Sequence, residues 1–219
     1  MPVPSSPPYE LMRNSGVNST SSGDTTILTA GTNQVITILG FSGSVIGGSQ
    51  NCGWHIDGIY GSYNRYENEA FIDFVGGGRV VIQNGQALKG NNNSGNSFDW
   101  NVSYIVRDYN AAIPSTAPYE IAKGVTLSKS STGSTTMLTT TANQSATVLS
   151  LYCARRNSMN VGCGIGSRYI QYNKNLDDGG SKFVEAGRVC VPPSSTFWVT
   201  QNSSSEQHYV LSYIIRDYG

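Results

Sequence analysis

Charged side chains are scarce in this sequence of 219 residues. Lys, Arg, Asp and Glu together make up 13% of the chain, about half the share that is usual in a soluble domain. The formal net charge is +0, and the sequence has no long run of Lys or Arg. Nucleic acids and anionic membrane surfaces are both bound through basic patches. We therefore expect neither as a partner.

Long apolar runs are missing as well. No stretch is apolar over the roughly 20 residues that a membrane-spanning helix needs. The Pro- and Ser-rich start, Met1 to Tyr9, also lacks the apolar core of a signal peptide. We therefore expect the chain to be made and folded in a cytoplasm. The same start is predicted to be an arm that orders on a partner or stays disordered.

What the sequence does contain is an internal repeat. The segment SYIVRDY at 103–109 returns as SYIIRDY at 212–218. Other matches keep their order along both halves, with a single-residue deletion after Leu39. A repeat of this length indicates two copies of one domain, because solenoid units run to only about 20–50 residues. We predict domains at 1–109 and 118–219, joined by a short linker at 110–117.

Each copy has the composition of a β-sheet domain. Short runs rich in Thr, Val, Ile and Tyr are separated by Gly, Asn and Ser, which favours strands over helices. The predicted strands of the first copy are 25–28, 34–41, 53–60, 70–75, 79–83 and 100–109. Those of the second are 135–138, 145–152, 162–172, 182–184, 188–191, 197–201 and 207–217. The predicted fold class is all-β, with two tandem jelly-roll-like β-sandwich domains.

The last strand of each copy shows which face is buried. Apolar residues alternate with others at a period of two, as expected for a strand with one face in the core. In the first copy these residues are Trp100, Val102, Tyr104 and Val106. Their counterparts in the second copy are Tyr209, Leu211, Tyr213 and Ile215.

Catalytic patterns are absent from the sequence. The repeated pairs Arg107-Asp108 and Arg216-Asp217 are adjacent on strands, so their side chains point to opposite faces, and we interpret them as edge anchors. A glycosidase needs two opposed carboxylates, and of Asp57, Glu69 and Asp73 only Glu69 has an acidic counterpart. The two histidines, His55 and His208, do not accompany a nucleophile pattern. We predict no catalytic residue and no enzyme activity.

The four cysteines are Cys52, Cys153, Cys163 and Cys190. They form no CxxC pair, so we predict no metal site and no cofactor. Cys190 stands where the first copy has Val81, and Cys163 stands where it has Trp54. Cysteine at such positions is typical of a small buried hydrophobic residue. A disulfide between Cys163 and Cys190 stays open as an alternative.

The candidate contact surface is a tyrosine-rich segment that occurs in both copies. Two tyrosines, one asparagine and one basic residue are shared by 60–66 and 169–175, and this mixture suits contact with a protein or a sugar. The candidate residues are Tyr60, Tyr63, Asn64, Arg65, Tyr66, Tyr169, Tyr172, Asn173 and Lys174. The alternative is that these tyrosines only pack on the sandwich.

Four motifs recur in the same order in both copies. They are a Thr-rich strand, a Val- and Ile-rich strand, a Gly-Arg-Val strand and a closing strand with Ser-Tyr-Ile. The segments are 25–31, 34–39, 78–82 and 102–105, and again 135–139, 144–149, 187–191 and 211–214. In this pattern each copy resembles a recurring module of tailed-bacteriophage virions.

The resemblance implies a jelly-roll-like sandwich that is built into a virion assembled in the host cytoplasm. It implies a capsid decoration (cement) protein, which stabilises the shell through contacts with the major capsid protein or other virion proteins. It also fits a homo-oligomer, in which three two-domain chains present six similar modules around an axis. The alternative is a tail- or fibre-associated module that binds host-surface glycans through Trp54 and the tyrosines of the repeated segment.

Overall fold

The computed structural model describes residues 8–46, 50–67, 72–75, 79–93, 95–109, 112–155, 160–175, 181–184 and 189–219. The strands of the first half are β1 (Tyr9–Ser19), β2 (Gly23–Thr29), β3 (Gln34–Ile46), β4 (Gln50–Ile56), β5 (Ile59–Glu67), β6 (Ile72–Asp73), β7 (Val80–Gln83), β8 (Ala87–Asn92) and β9 (Ser97–Asp108). Those of the second half are β10 (Tyr119–Lys129), β11 (Gly133–Thr139), β12 (Gln144–Arg155), β13 (Asn160–Ile165), β14 (Arg168–Asn175), β15 (Ser181–Val184), β16 (Val189–Val191), β17 (Thr196–Gln201) and β18 (Gln207–Asp217). In these ranges no helix is long and apolar enough to cross a membrane.

The strands form four antiparallel sheets, two in each half. In the first half one sheet has the order β1-β9-β3-β6, with β7 also on β3, and the other has the order β2-β8-β4-β5. The second half repeats this as β10-β18-β12-β15, with β16 on β12, and as β11-β17-β13-β14. Early and late strands of each copy are interleaved in both sheets, which is the topology of a jelly roll. The all-β prediction of two tandem sandwiches is confirmed.

Three strands that the sequence did not predict complete the sheets. They are β1, β8 and β10. Strand β1 is rich in Asn and Ser, and β8 contains a Gly and two Asn, so neither has the apolar pattern of a buried strand. Gly90 in β8 is needed for packing, because a Cβ atom there would lie 2.4 Å from Cε2 of Trp100. The polar appearance of these strands therefore reflects one exposed face or a close approach in the core.

Two predicted strands are in fact hairpins. The segment 53–60 contains the end of β4, a tight turn and the start of β5. At this turn Asp57 and Gly58 have φ angles of 48° and 88°, the left-handed conformation that a two-residue hairpin turn demands. The segment 162–172 turns in the same way at Gly166, where φ is 54°. An Asp-Gly pair is a strong hairpin signal, so the first of these turns was readable from the sequence.

The predicted core faces are confirmed. Trp100 is 1% exposed, and its ring stacks on Phe41 and Phe74 with centroid distances of 5.6 and 5.7 Å. Val102, Tyr104 and Val106 are buried in the same cluster. The counterparts in β18 are buried in the core of the second copy.

Irregularities in the sheets are duplicated together with the strands. The ladder between β3 and β9 shifts register between Ile38 and Gly40, and the one between β12 and β18 shifts between Val148 and Ser150. The repeated Asp residues serve as anchors in both copies. Gln34 Nε2 donates to Asp108 at 2.9 Å, and Gln144 Nε2 donates to Asp217 at 2.7 Å. A β-bulge is a specific structural feature and not a defect. Because the same register shift and the same Gln–Asp hydrogen bond occur in both copies, the two copies share these details of the fold as well as the strand order.

Candidate functional site: two tyrosine-bearing edge strands

The tyrosine-rich segments lie on the edge strands β5 and β14. Each occupies the last position of its four-stranded sheet and follows a tight turn after the strand that it pairs with there, β4 or β13. An edge strand presents unpaired backbone groups and side chains that a neighbouring chain can contact. The two segments are therefore in equivalent positions, but their surroundings differ.

In the first jelly roll, β5 is covered by the second one. The Tyr60 ring stacks on His208 of β18 with a centroid distance of 5.5 Å and an interplanar angle of 11°. The backbone N–H of Tyr60 donates to Nδ1 of the same histidine at 3.0 Å. His55 lies on the same tyrosine, at a centroid distance of 4.8 Å. Both histidines of the chain therefore contact Tyr60, and this segment serves the contact between the two jelly rolls.

Trp54 lies beneath this contact. Its side chain is 0% exposed, and its ring meets Tyr152 of the second jelly roll edge-on at 5.2 Å. Gly61 leaves the space that the indole needs, because a Cβ atom there would lie 2.0 Å from Cζ2 of Trp54. Trp54 is thus a core residue and is not available to stack on a sugar.

The same contact continues along β7. The backbone N–H of Val81 donates to Ser212 Oγ at 3.0 Å, and Ser150 Oγ donates to the carbonyl oxygen of Arg79. Val81 also joins Val35 and Ile121 in a small apolar cluster between the two jelly rolls. The outer face of β10, β18 and β12 is therefore packed against the β5 and β7 side of the first sandwich.

In the second jelly roll, β14 is open to solvent. Tyr169, Ile170 and Tyr172 are 50%, 42% and 68% exposed. The Tyr169 ring meets Tyr172 at 4.8 Å and Trp198 of β17 at 4.8 Å, both nearly perpendicular. Trp198 Nε1 donates to the Gly166 carbonyl at 2.8 Å, which fixes the indole. This aromatic group on β14 is preorganised and accessible.

The remaining candidates on the two strands are only partly described. Tyr63 is partly buried and meets Tyr60 edge-on at 4.8 Å. Lys174 is partly buried on β14. The side chains of Asn64, Arg65, Tyr66 and Asn173 lie outside the described part of the structure.

The titratable side chains described here stabilise the fold, as the two repeated arginines show. Arg107 Nε donates to Glu10 at 2.6 Å, and Arg216 pairs with Glu120, so each repeated arginine joins the first and last strands of its copy. Among the described residues no group of three or more His, Cys, Asp and Glu could hold a metal ion. Burial raises the pKa of the Cys163 thiol to about 11.

The cysteine prediction is partly corrected. All four thiols are free, and Cys52, Cys153 and Cys163 are buried, but Cys190 is exposed. Its counterpart Val81 is 0% exposed because the second jelly roll covers β7. Strand β16 carries no such cover in the described part of the chain.

Sequence reasoning missed the residues that join the two copies. A comparison of the two copies could have identified them, because the first copy has polar residues at these positions and the second has aromatic or apolar residues. The strand ladders pair Ser42 with Asn101 and Tyr152 with Val210, so the predicted position of the deletion after Leu39 is wrong, and the deletion lies between Val45 and Cys52. Ser42, Asp99 and Asn101 therefore correspond to Tyr152, His208 and Val210. A one-sided strand such as β9 alternates, whereas a strand that is buried on both faces reads as a continuous apolar run.

No protein-family profile matches the sequence, and no curated protein matches it. Among solved structures, the major capsid protein P2 of bacteriophage PM2 is 10% identical, with a TM-score of 0.34, over 94% of this chain and 98% of that one. Turret protein A223 of Sulfolobus turreted icosahedral virus is 14% identical, with a TM-score of 0.26, over 94% and 97%. A peptide-N(4)-(N-acetyl-β-D-glucosaminyl) asparagine amidase is 8% identical, with a TM-score of 0.34, over 95% and 96%. Because virus proteins and an enzyme both occur here, the likeness assigns no function.

Proposed function

We propose that the protein is a virion structural protein, specifically a capsid decoration protein that stabilises the shell through protein–protein contacts. The observation that carries the proposal is the contrast between its two edge strands. One is used to join two jelly rolls into a single body, and the other presents Tyr169, Ile170 and Tyr172 to solvent. Aromatic side chains are enriched in protein interfaces because they bury a large area at low entropic cost.

The duplicated architecture supports a permanent assembly role. The two jelly rolls are joined by ring stacking, hydrogen bonds and an apolar cluster. A mechanical force on one jelly roll is therefore transmitted to the other through these contacts. The expected partners are the major capsid protein or other virion proteins. The predicted location is the virion, with assembly in the host cytoplasm.

The test compares particles of the encoding virus with and without the protein. We expect particles that lack it to release their genome at a lower temperature, and added wild-type protein to restore heat resistance. The double variant Tyr169→Ala/Tyr172→Ala should restore much less. Tyr218→Ala is the matched control, because Tyr218 is also 65% exposed but lies outside the edge strands. Equal heat stability of both kinds of particle would refute the decoration role.

A second candidate is a tail- or fibre-associated module that binds glycans through the same open edge. Perpendicular tyrosines at 4.8 Å favour it, because an exposed ring face can stack on a sugar. In that case purified protein binds a glycan array, Tyr172→Ala abolishes the binding, and imaging places the chain on the tail. If the array stays blank and the chain lies on the shell, the glycan function is excluded.

A further inference from the structure

The contact between the two jelly rolls has two sides, and the duplication provides a second version of each. The first side is the seat on the outer face of β10, β18 and β12, where Tyr152, His208 and Val210 receive Trp54 and Tyr60. The other side is the covered edge of the first jelly roll, β5 and β7. The equivalent seat lies on β1, β9 and β3, and the equivalent edge is β14 and β16.

The second seat is an open groove of about 490 Å³ on the outer face of the first jelly roll. Small and polar residues line it, among them Gly16, Ser42, Ser44, Asp99 and Asn101. Ser42, Asp99 and Asn101 are the counterparts of the three residues that form the filled seat. The groove thus lies where the second jelly roll holds aromatic side chains.

The second edge carries side chains that match such a groove. Tyr169 is the counterpart of Tyr60 and is half exposed, with Tyr172 beside it. Cys190 is the counterpart of Val81 and is also exposed. On the covered edge, Val81 donates its backbone N–H to Ser212, whose counterpart on the open seat is the exposed Ser103.

Charge and polarity are complementary across these surfaces. The groove contains the carboxylate of Asp99, which also accepts a hydrogen bond from Asn18 at 2.6 Å. The open edge carries Arg168, which is exposed, and Lys174. Tyrosine combined with Asn and Ser is the mixture by which antibody paratopes contact partners that are already folded.

We propose that the β14 edge of one copy docks in the groove on β1, β9 and β3 of a second copy of this chain. The contact repeats between chains the arrangement that joins the two jelly rolls within a chain. It is heterologous, because the two surfaces differ, so successive copies build a ring when the rotation closes and an open row when it does not. The inference rests on the proposed structural role and names the partner of its open edge.

A cysteine cross-link tests the register. In the variant Ser103→Cys, the new thiol of one copy should lie beside the native Cys190 of the next, as Ser212 lies beside Val81 within the chain. Under mild oxidation we expect disulfide-linked dimers and higher species on non-reducing gels, with the 103–190 link identified by peptide mass spectrometry. Ser103→Cys/Cys190→Ser should form no such link. Ser134→Cys controls for random collision, because Ser134 is exposed on β11, at the opposite edge of the sheet that contains β14.

A charge reversal tests the same contact without oxidation. Asp99→Lys should shift the self-association midpoint in sedimentation velocity at least tenfold, because it places a cation opposite Arg168 and Lys174. Adding Arg168→Glu and Lys174→Glu should restore association, whereas those two changes alone should weaken it. Monomers at all concentrations and on particles would overturn the inference, as would oligomers that show neither the 103–190 link nor charge rescue.

Failure of this inference is distinguishable from failure of the proposed function. Particles that owe heat resistance to the protein, but show no 103–190 link, would leave the decoration role standing and remove the self-contact. Cross-linked oligomers together with unchanged heat resistance of particles that lack the protein would do the reverse.

Discussion

The two jelly rolls share strand order and bulges but differ on one outer face. Along β9 the outward residues Asp99, Asn101 and Ser103 are exposed, and buried and exposed positions alternate. Along β18 the counterparts His208, Val210 and Ser212 are all buried. The two copies thus share their core faces and differ on the outer face that joins them in one copy and is exposed in the other.

The two outer faces differ in composition because one is buried within the folded chain and the other is exposed to solvent. The outer face of the second jelly roll is covered within the same chain, so its apolar residues do not form an exposed hydrophobic patch that would lower solubility. The outer face of the first jelly roll is exposed in the single chain and has kept Asn, Ser and Asp. A surface that binds another chain after folding has to be compatible with both water and contact.

The largest expected effect on stability comes from adding a side chain where the two jelly rolls are in close contact. A Cβ atom at Gly124 would lie 2.1 Å from the carbonyl oxygen of Val81. We expect Gly124→Val to lower the free energy of unfolding by about 3 kcal/mol through overpacking, measured by urea denaturation. Asn14→Ala at the equivalent position of the first copy should change it by less than about 0.5 kcal/mol. Equal effects of the two variants would contradict the comparison.

A reciprocal exchange sharpens the contrast between the two faces. Val210→Asn should cost about 2 kcal/mol, because it buries an amide without a partner at a site that is 0% exposed. Asn101→Val should leave the free energy of unfolding nearly unchanged and should increase self-association by adding apolar surface to the groove. Thermal unfolding and sedimentation velocity measure the two quantities. A costly Asn101→Val would show that the first face is not open.

A smaller effect concerns an ionic contact of the first copy. Partial burial opposes ionisation of Asp24, but hydrogen bonds from Asn91 and His55 outweigh it and lower the pKa of this carboxyl from 3.8. A lowered pKa stabilises the fold above pH 3.8, and this contribution is lost as the pH falls through the folded value. The gain over Asp24→Asn should be under about 0.5 kcal/mol after solvent screening, and the two stability curves should converge in acid. The counterpart variant Ser134→Ala should show no such pH dependence.

Thiol labelling reports the uncovered edge without a change in stability. Cys190 is exposed and the other three cysteines are buried, and the raised pKa of Cys163 keeps that thiol protonated. We expect a disulfide reagent at pH near 8 to modify one thiol per native chain, and all four after denaturation. Rapid modification of a second thiol in the native chain would show that the core of one of the jelly rolls opens, because Cys52 lies in the first core and Cys153 and Cys163 lie in the second.

Much of the fold was predictable from local patterns. The alternation in β9 and β18 identified the core faces, since the side-chain period of a strand is a local property. Strands β1 and β8 were missed because their Asn, Ser and Gly content reflects an exposed face or a close approach such as that of Gly90 to Trp100. Strand β10 was missed as well, and its Gly124 lies at the contact with Val81 of the first jelly roll. The hairpin at Asp57 and Gly58 was missed although its turn residues are diagnostic.

The candidate site was located only in part. The sequence marked equivalent tyrosine segments in both copies, but it did not show that one is covered. The cover comes from Tyr152, His208 and Val210, which are distant in sequence from β5. Their significance depends on which faces of the two sandwiches meet.

The sequence by itself determined the duplication, the all-β class and the inward faces of the strands, because each is recorded in local periodicity and in the order of matching segments. Only the tertiary structure decided that Tyr60 is packed on His208 while Tyr169 is open to solvent. The two tyrosines have similar local sequences and the same place in the fold. Their environments differ because, within the described ranges, another part of the same chain covers β5 and does not cover β14.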